Sequence, residues 1–129
     1  MSRDRRYNPP TAARYSGSAR AGTATFWHQR VTSVAGVPLT IAFIAIVIAL
    51  LGRNHAATVQ ILGSPLVAIL MLLFIINSAY HMWIGMQEII IDYVHGGTAK
   101  YLALFGNLFF CVVMGLASIY AILKMSFGV

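Results

Sequence analysis

Acidic residues are nearly missing from this chain: three in 129 positions, Asp4, Glu88 and Asp92, against nine lysines and arginines. Charged residues make up only 9% of the sequence, whereas an ordinary soluble domain carries about 25%. Hydrophobic residues make up 59%. A soluble protein with so few polar groups could not cover its own surface, and a chain this short cannot hold several domains. Cysteine is almost absent as well. The one thiol, Cys111, lies inside an apolar run. That excludes an internal disulfide and a cysteine-based zinc site, and leaves Cys111 as a small packing residue. The solvent that suits such a chain is a lipid bilayer.

What is present is three apolar stretches, each about the twenty residues that a bilayer-spanning helix needs. The first is the uncharged run VTSVAGVPLTIAFIAIVIALL, residues 31–51. The second begins near Ile61 and meets no charge until Glu88. The third ends at Lys124. The expected fold class is therefore all-α: an integral membrane protein with three transmembrane helices at about 31–51, 65–91 and 101–123. Ahead of them, residues 1–25 are rich in Arg, Ser and Ala, contain Pro9-Pro10 and have almost no acid. That composition suits a disordered tail or one draped over a partner, leaving 26–129 as the membrane domain. The tail lacks the apolar segment and small-residue cleavage site of a secretory signal. An organellar transit peptide shares its composition, which leaves a mitochondrial inner membrane open beside a bacterial one.

A basic tail can signal nucleic-acid binding. Here it precedes membrane spans, and the positive-inside rule explains it with no nucleic acid. An N-terminus in the cytoplasm puts Arg3, Arg5, Arg6, Arg14, Arg20, Arg30 and Lys100 inside, and leaves Arg53 and Lys124 outside. The C-terminus is then periplasmic. The connections at 52–60 and 96–100 are short and read as loops between antiparallel neighbours. Small residues recur at helical spacing in the third span (Ala103, Asn107, Cys111, Gly115, Ser118) and in the first (Ser33, Gly36, Thr40). Such faces let membrane helices approach closely, and suggest more helices around the bundle than this chain supplies.

The second span departs from plain membrane filler. At 100° per residue, Asn77, His81, Gly85, Glu88 and Asp92 fall on one face. Ionisable side chains at bilayer depth are costly, by about 2.5–3.5 kcal/mol on insertion scales. A stripe of them therefore faces protein, a cofactor or water rather than lipid. His81 sits near mid-membrane, where a neutral imidazole can ligate a metal or make an interhelical hydrogen bond. Gly85, one turn on, leaves room for a flat group beside the helix. His28 is expected level with Asp92, roughly 16 Å from His81 along the axis. His55 and His95 lie outside the spans, so a haem on His81 needs its second axial histidine from another chain. Asp92 and Tyr93 end the span at the cytoplasmic interface. They can be a solvated charge beside a belt aromatic. They can also be a phenol that hydrogen-bonds a quinone oxygen and a carboxylate that delivers protons.

Residues 81–95, HMWIGMQEIIIDYVH, resemble the second helix of the smaller, D-type hydrophobic anchor of succinate dehydrogenase (respiratory complex II). The approach to the first span, Trp27-His28-Gln29-Arg30-Val31-Thr32-Ser33, is similar to that family's Trp-His-Gln-Arg-x-Thr segment. The two motifs stand in the family's order, and the likeness covers about residues 26–125. It implies that His81 is an axial ligand of haem b, shared with a C-type cytochrome b anchor subunit that gives the second histidine. It implies Arg30 near the haem propionates, His28 as a further propionate contact, and Tyr93 with Asp92 in a ubiquinone site. The iron–sulfur and flavoprotein subunits complete the complex, which passes electrons from succinate to the quinone pool. Alphaproteobacterial relatives often carry an acid directly before the Asp-Tyr pair. This chain has Ile91 there and Glu88 one turn earlier, and Glu88 receives no catalytic role. The chain cannot oxidise succinate alone: it has no dinucleotide fingerprint, no iron–sulfur cysteines and no room for a flavin domain. Two other readings stand beside this one: a cofactor-free anchor of a related fumarate reductase or other respiratory complex, and a small helical assembly protein.

Overall fold

The computed structural model describes the backbone of residues 10–128 and the side chains of residues 23–128. Four helices follow one another: α1 (Pro10–Leu50), α2 (His55–Gly63), α3 (Pro65–Tyr93) and α4 (Gly97–Phe127). No strand occurs among the described residues, so the all-α expectation holds. Three of the helices are long and apolar enough to cross a membrane: Thr23–Leu50 within α1, then α3 and α4. The 29 residues of α3 extend about 43 Å, more than the roughly 30 Å of a hydrocarbon core. Its ends therefore reach the headgroup layers.

Each break in the chain has a local cause. Pro10 opens α1, a position where a missing N–H costs nothing. Residues 10–25 of the expected tail continue this helix, while residues 1–9 lie outside those described. Pro38 sits inside α1 and withholds one ladder donor, which membrane helices tolerate better than soluble ones. Gly52 ends the turn after α1 at φ +73°, a conformation that favours glycine. The stretch expected as a loop at 52–60 is largely helical. Asn54 caps α2 by accepting a hydrogen bond from the Ala57 N–H at 2.9 Å, the usual work of an asparagine at that position. Ser64 is then extended at φ −67° and ψ 143°, as the residue before a proline must be, and Pro65 starts α3. Between α3 and α4 only residues 94–96 are non-helical.

Helix α3 is the hub. It packs on α1 along one side and on α4 along another, while α2 lies mainly against α4. The buried apolar residues among those described are few: Ala68, Ile84, Ile90, Cys111 and Ile122. Large side chains such as Val34, Ile41, Leu66, Phe105, Phe109 and Tyr120 stand outside, each more than half exposed. In a bilayer these faces meet lipid or other helices. The small-residue face of α4 is occupied within the chain. Gly115 packs toward Ala79, whose Cβ lies 3.6 Å from where a Cβ on the glycine would be. Asn107 Nδ2 donates to the Trp83 carbonyl at 3.1 Å.

Candidate functional site

The polar stripe of α3 meets a polar stripe of α1. Antiparallel packing sets Thr32 beside His81, with Thr32 Oγ1 2.9 Å from His81 Nδ1. One turn outward, Asn77 Nδ2 donates to the Thr32 carbonyl at 3.0 Å. One turn the other way along α1, the Gln29 amide faces the Glu88 carboxylate, and with its nitrogen assigned to that side it donates at 3.0 Å to Oε2 and 3.2 Å to Oε1. Thr32 is 9% exposed and is the buried polar residue among those described. Farther along the same pair of helices the seam turns apolar, and Phe43 stacks on Phe74 with centroids 4.4 Å apart.

One side of this seam is open. A groove lined by Thr32, Ser33, Gly36, Thr40, Asn77 and His81 among others leads to a second groove. That one is lined by Gln29, His81, Met82, Gly85, Met86, Glu88, Ile89 and Asp92. His81 belongs to both. The expected stripe of Asn77, His81, Gly85, Glu88 and Asp92 thus forms a continuous wall along about 22 Å of α3. Gly85 is not forced by contact with α1: a Cβ there would meet the end of the Gln29 side chain at an ordinary 3.7 Å. What its missing side chain leaves is groove.

The other expected site residues are placed differently. His28 is not level with Asp92. Its Nδ1 is 3.3 Å from the Tyr80 hydroxyl, and the two rings meet edge to face at 6.0 Å, which puts His28 beside the residue next to His81. The expectation set His28 and Asp92 at one membrane face without knowing which residues of α1 meet α3. The structure instead sets Thr32 against His81, and His28, one turn earlier on α1, stays near that level. Arg30 faces away from this seam. Its guanidinium stands over the Phe26 ring, 4.7 Å from the centroid, in a separate groove with Trp27, Val31, Val34 and Ala35. Asp92 lines the polar groove at its end, while Tyr93, the last residue of α3, is 77% exposed.

Gln29, Thr32 and Tyr80 are partners that the sequence reading did not single out. A signal for two of them was there: Gln29, Thr32, Ser33 and Gly36 share a face of α1 at helical spacing, and that face complements the stripe on α3.

A haem iron accepts an imidazole nitrogen, and the residues present suit one. His81 uses Nδ1 toward Thr32 and makes no hydrogen bond through Nε2 among the described residues. It stands where two open grooves meet. No cluster of three or more His, Cys, Asp or Glu that could hold a metal ion occurs among the described residues.

Comparison with known proteins agrees with the fold. Residues 4–115 match the family described as succinate dehydrogenase/fumarate reductase transmembrane subunit. The chain is 33% identical over 120 residues to the succinate dehydrogenase hydrophobic membrane anchor subunit of Paracoccus denitrificans. The match covers 93% of this chain and 92% of that one. No solved structure matches. A three-span, nearly acid-free chain that matches this family over most of its length belongs to the succinate dehydrogenase/fumarate reductase transmembrane subunits, as a multi-pass membrane anchor of the enzyme complex.

Proposed function

We propose that this anchor supplies half of a haem b site through His81 and one wall of a ubiquinone site through Tyr93 and Asp92. The observation that carries the reading is the open polar groove along α3, with His81 where its two parts meet and Asp92 at its end. Polar groups at membrane depth that their own chain leaves uncovered call for a cofactor or a partner. The partner is a C-type cytochrome b anchor that brings the second axial histidine, and the haem, when bound, supplies a one-electron carrier. The flavoprotein and iron–sulfur subunits deliver two electrons from each succinate. Ubiquinone takes them up with two protons to become the quinol. The Tyr93 hydroxyl donates to a quinone oxygen, and the Asp92 carboxylate relays protons from the cytoplasmic water. The arginine bias sets this end of α3 and the N-terminus in the cytoplasm, with the C-terminus periplasmic. Arg30 and His28 are assigned to the propionates by the resemblance of their segment to the family's, not by their positions here. Arg30 joins the site only after its guanidinium leaves Phe26.

A second reading has one observation in its favour. The Thr32–His81 contact is also what a purely structural membrane histidine makes, as in a cofactor-free anchor. Two measurements on the purified complex separate them. A low-spin b-type haem in the reduced-minus-oxidised spectrum supports the first reading, and its absence supports the second. Tyr93→Phe keeps the ring and deletes the hydroxyl. A lost hydrogen bond to a buried group is worth about 1–3 kcal/mol, so succinate-dependent ubiquinone reduction should fall roughly five- to a hundredfold. Succinate oxidation with a soluble dye, which bypasses the membrane site, should persist. Ubiquinone reduction at the wild-type rate would make Tyr93 an interfacial aromatic and no more.

A further inference from the structure

The Thr32 hydroxyl oxygen lies within hydrogen-bond distance of three atoms. The His28 carbonyl oxygen is 2.9 Å away, the Gln29 carbonyl oxygen 3.0 Å and His81 Nδ1 2.9 Å. A hydroxyl has one proton and two acceptor sites, and both carbonyl oxygens can only accept. Were the proton spent on His81, two carbonyl oxygens would face a third oxygen with no hydrogen between them. Were it given to the carbonyls instead, as threonine commonly does inside a helix, a lone pair remains for Nδ1. The ring nitrogen must then carry the hydrogen and donate it. The hydroxyl is also held in place. Its residue is 9% exposed, which leaves water little room to compete, and Asn77 grips the Thr32 carbonyl from the facing helix.

We propose that Thr32 is a positioning residue that holds His81 as the Nδ1–H tautomer, with the Nε2 lone pair presented on the side of the ring away from Thr32. The proposal rests on the reading of His81 as a haem ligand. A metal-bound histidine needs its other ring nitrogen fixed in this way. The anchoring bond sets tautomer and ring orientation together, and makes the ligating nitrogen a better donor. Thr32 thus acts on the metal through His81 and touches no cofactor.

The test uses the intact complex purified from membranes, with Thr32→Val, Thr32→Ser and His81→Ala compared with wild type. The readouts are haem bound per complex, the rate of haem loss to an excess of a haem-scavenging protein, and the haem midpoint potential. Thr32→Val keeps the shape and removes the acceptor, and should weaken haem retention about 10- to 100-fold. It should also raise the midpoint potential, because a less electron-rich imidazole stabilises ferric iron less. Thr32→Ser restores the hydroxyl and should restore both. Thr32→Val with wild-type retention and potential overturns the proposal. If valine prevents assembly, Thr32→Ala removes the same hydroxyl without the second branch and is read in the same way. His81→Ala with an unchanged haem spectrum overturns the ligand reading itself. That outcome is distinct from a failure of Thr32 alone.

Discussion

The two sides of α3 solve the same problem differently. Toward α4 the contact is made by small and apolar residues. Cys111 and Ile84 are buried, Gly115 approaches Ala79, and one asparagine bond crosses the interface. Toward α1 the contact in the half nearer Asp92 is made by polar groups: Thr32 with His81, Asn77 with the Thr32 carbonyl, and Gln29 with Glu88. Van der Waals packing between small residues is enough to associate membrane helices. Polar pairs are not required for that, and each carries a desolvation cost in hydrocarbon. Their concentration on one seam, beside an open groove, sets that interface apart from the packed contact with α4.

The largest expected effect tests that division directly. His81→Ala should eliminate the b-type haem signal and leave the complex assembled, because the Thr32 hydroxyl keeps its backbone carbonyls and no buried charge is orphaned. Haem content and subunit composition of the purified complex measure the two halves. Loss of assembly together with haem would make the α1/α3 seam as structural as its neighbour, and the contrast would fall.

On the scaffold side, Gly63 offers the opposite outcome. A Cβ there would sit 2.7 Å from the Met125 carbonyl oxygen of α4, and backbone cannot give way as a side chain can. Gly63→Ala should destabilise by about 1–3 kcal/mol, the usual range for overpacking. A lower midpoint of thermal inactivation, with an unchanged haem spectrum, is the expected result. An altered spectrum would mean that the α2–α4 contact reaches the site.

The sequence makes the spans legible because apolar length is a one-dimensional property: three long runs became α1, α3 and α4. The stripe on α3 was legible for the same reason, since residues on one helix share a face by spacing alone. Helix α2 was missed although Asn54 is a good cap, because nine residues between two spans look like a loop when only hydropathy is followed. Contacts between helices were harder to read. The depth of His28 depended on which residues of α1 meet α3, and the pairing of Thr32 with His81 is not given by spacing along either helix. The direction in which Arg30 points also could not be read, since its partner Phe26 lies on a face that the motif does not define.

The smallest effect gives the sharpest comparison. Asn107 and Asn77 make the same bond on opposite sides of α3. The Asn107 amide donates to the carbonyl of Trp83, and the Asn77 amide to the carbonyl of Thr32, at 3.1 and 3.0 Å. Each carbonyl also lies within a helix whose own ladder supplies an N–H. Deleting either amide therefore leaves no buried backbone group without a partner. Interhelical bonds of this kind in membranes average about 0.6 kcal/mol, so Asn107→Ala and Asn77→Ala should lower thermal stability by similar, small amounts. Their effect on haem should differ. Asn77 holds the turn that carries the Thr32 hydroxyl, and releasing it should shift the haem midpoint potential in the same direction as Thr32→Val, by less. Asn107 holds Trp83 against α4 and should leave the potential at its wild-type value. Potentiometric titration of the two variants reads this difference directly. Equal shifts, or none in either, would show that the polar seam is no more coupled to the ligand than the apolar one.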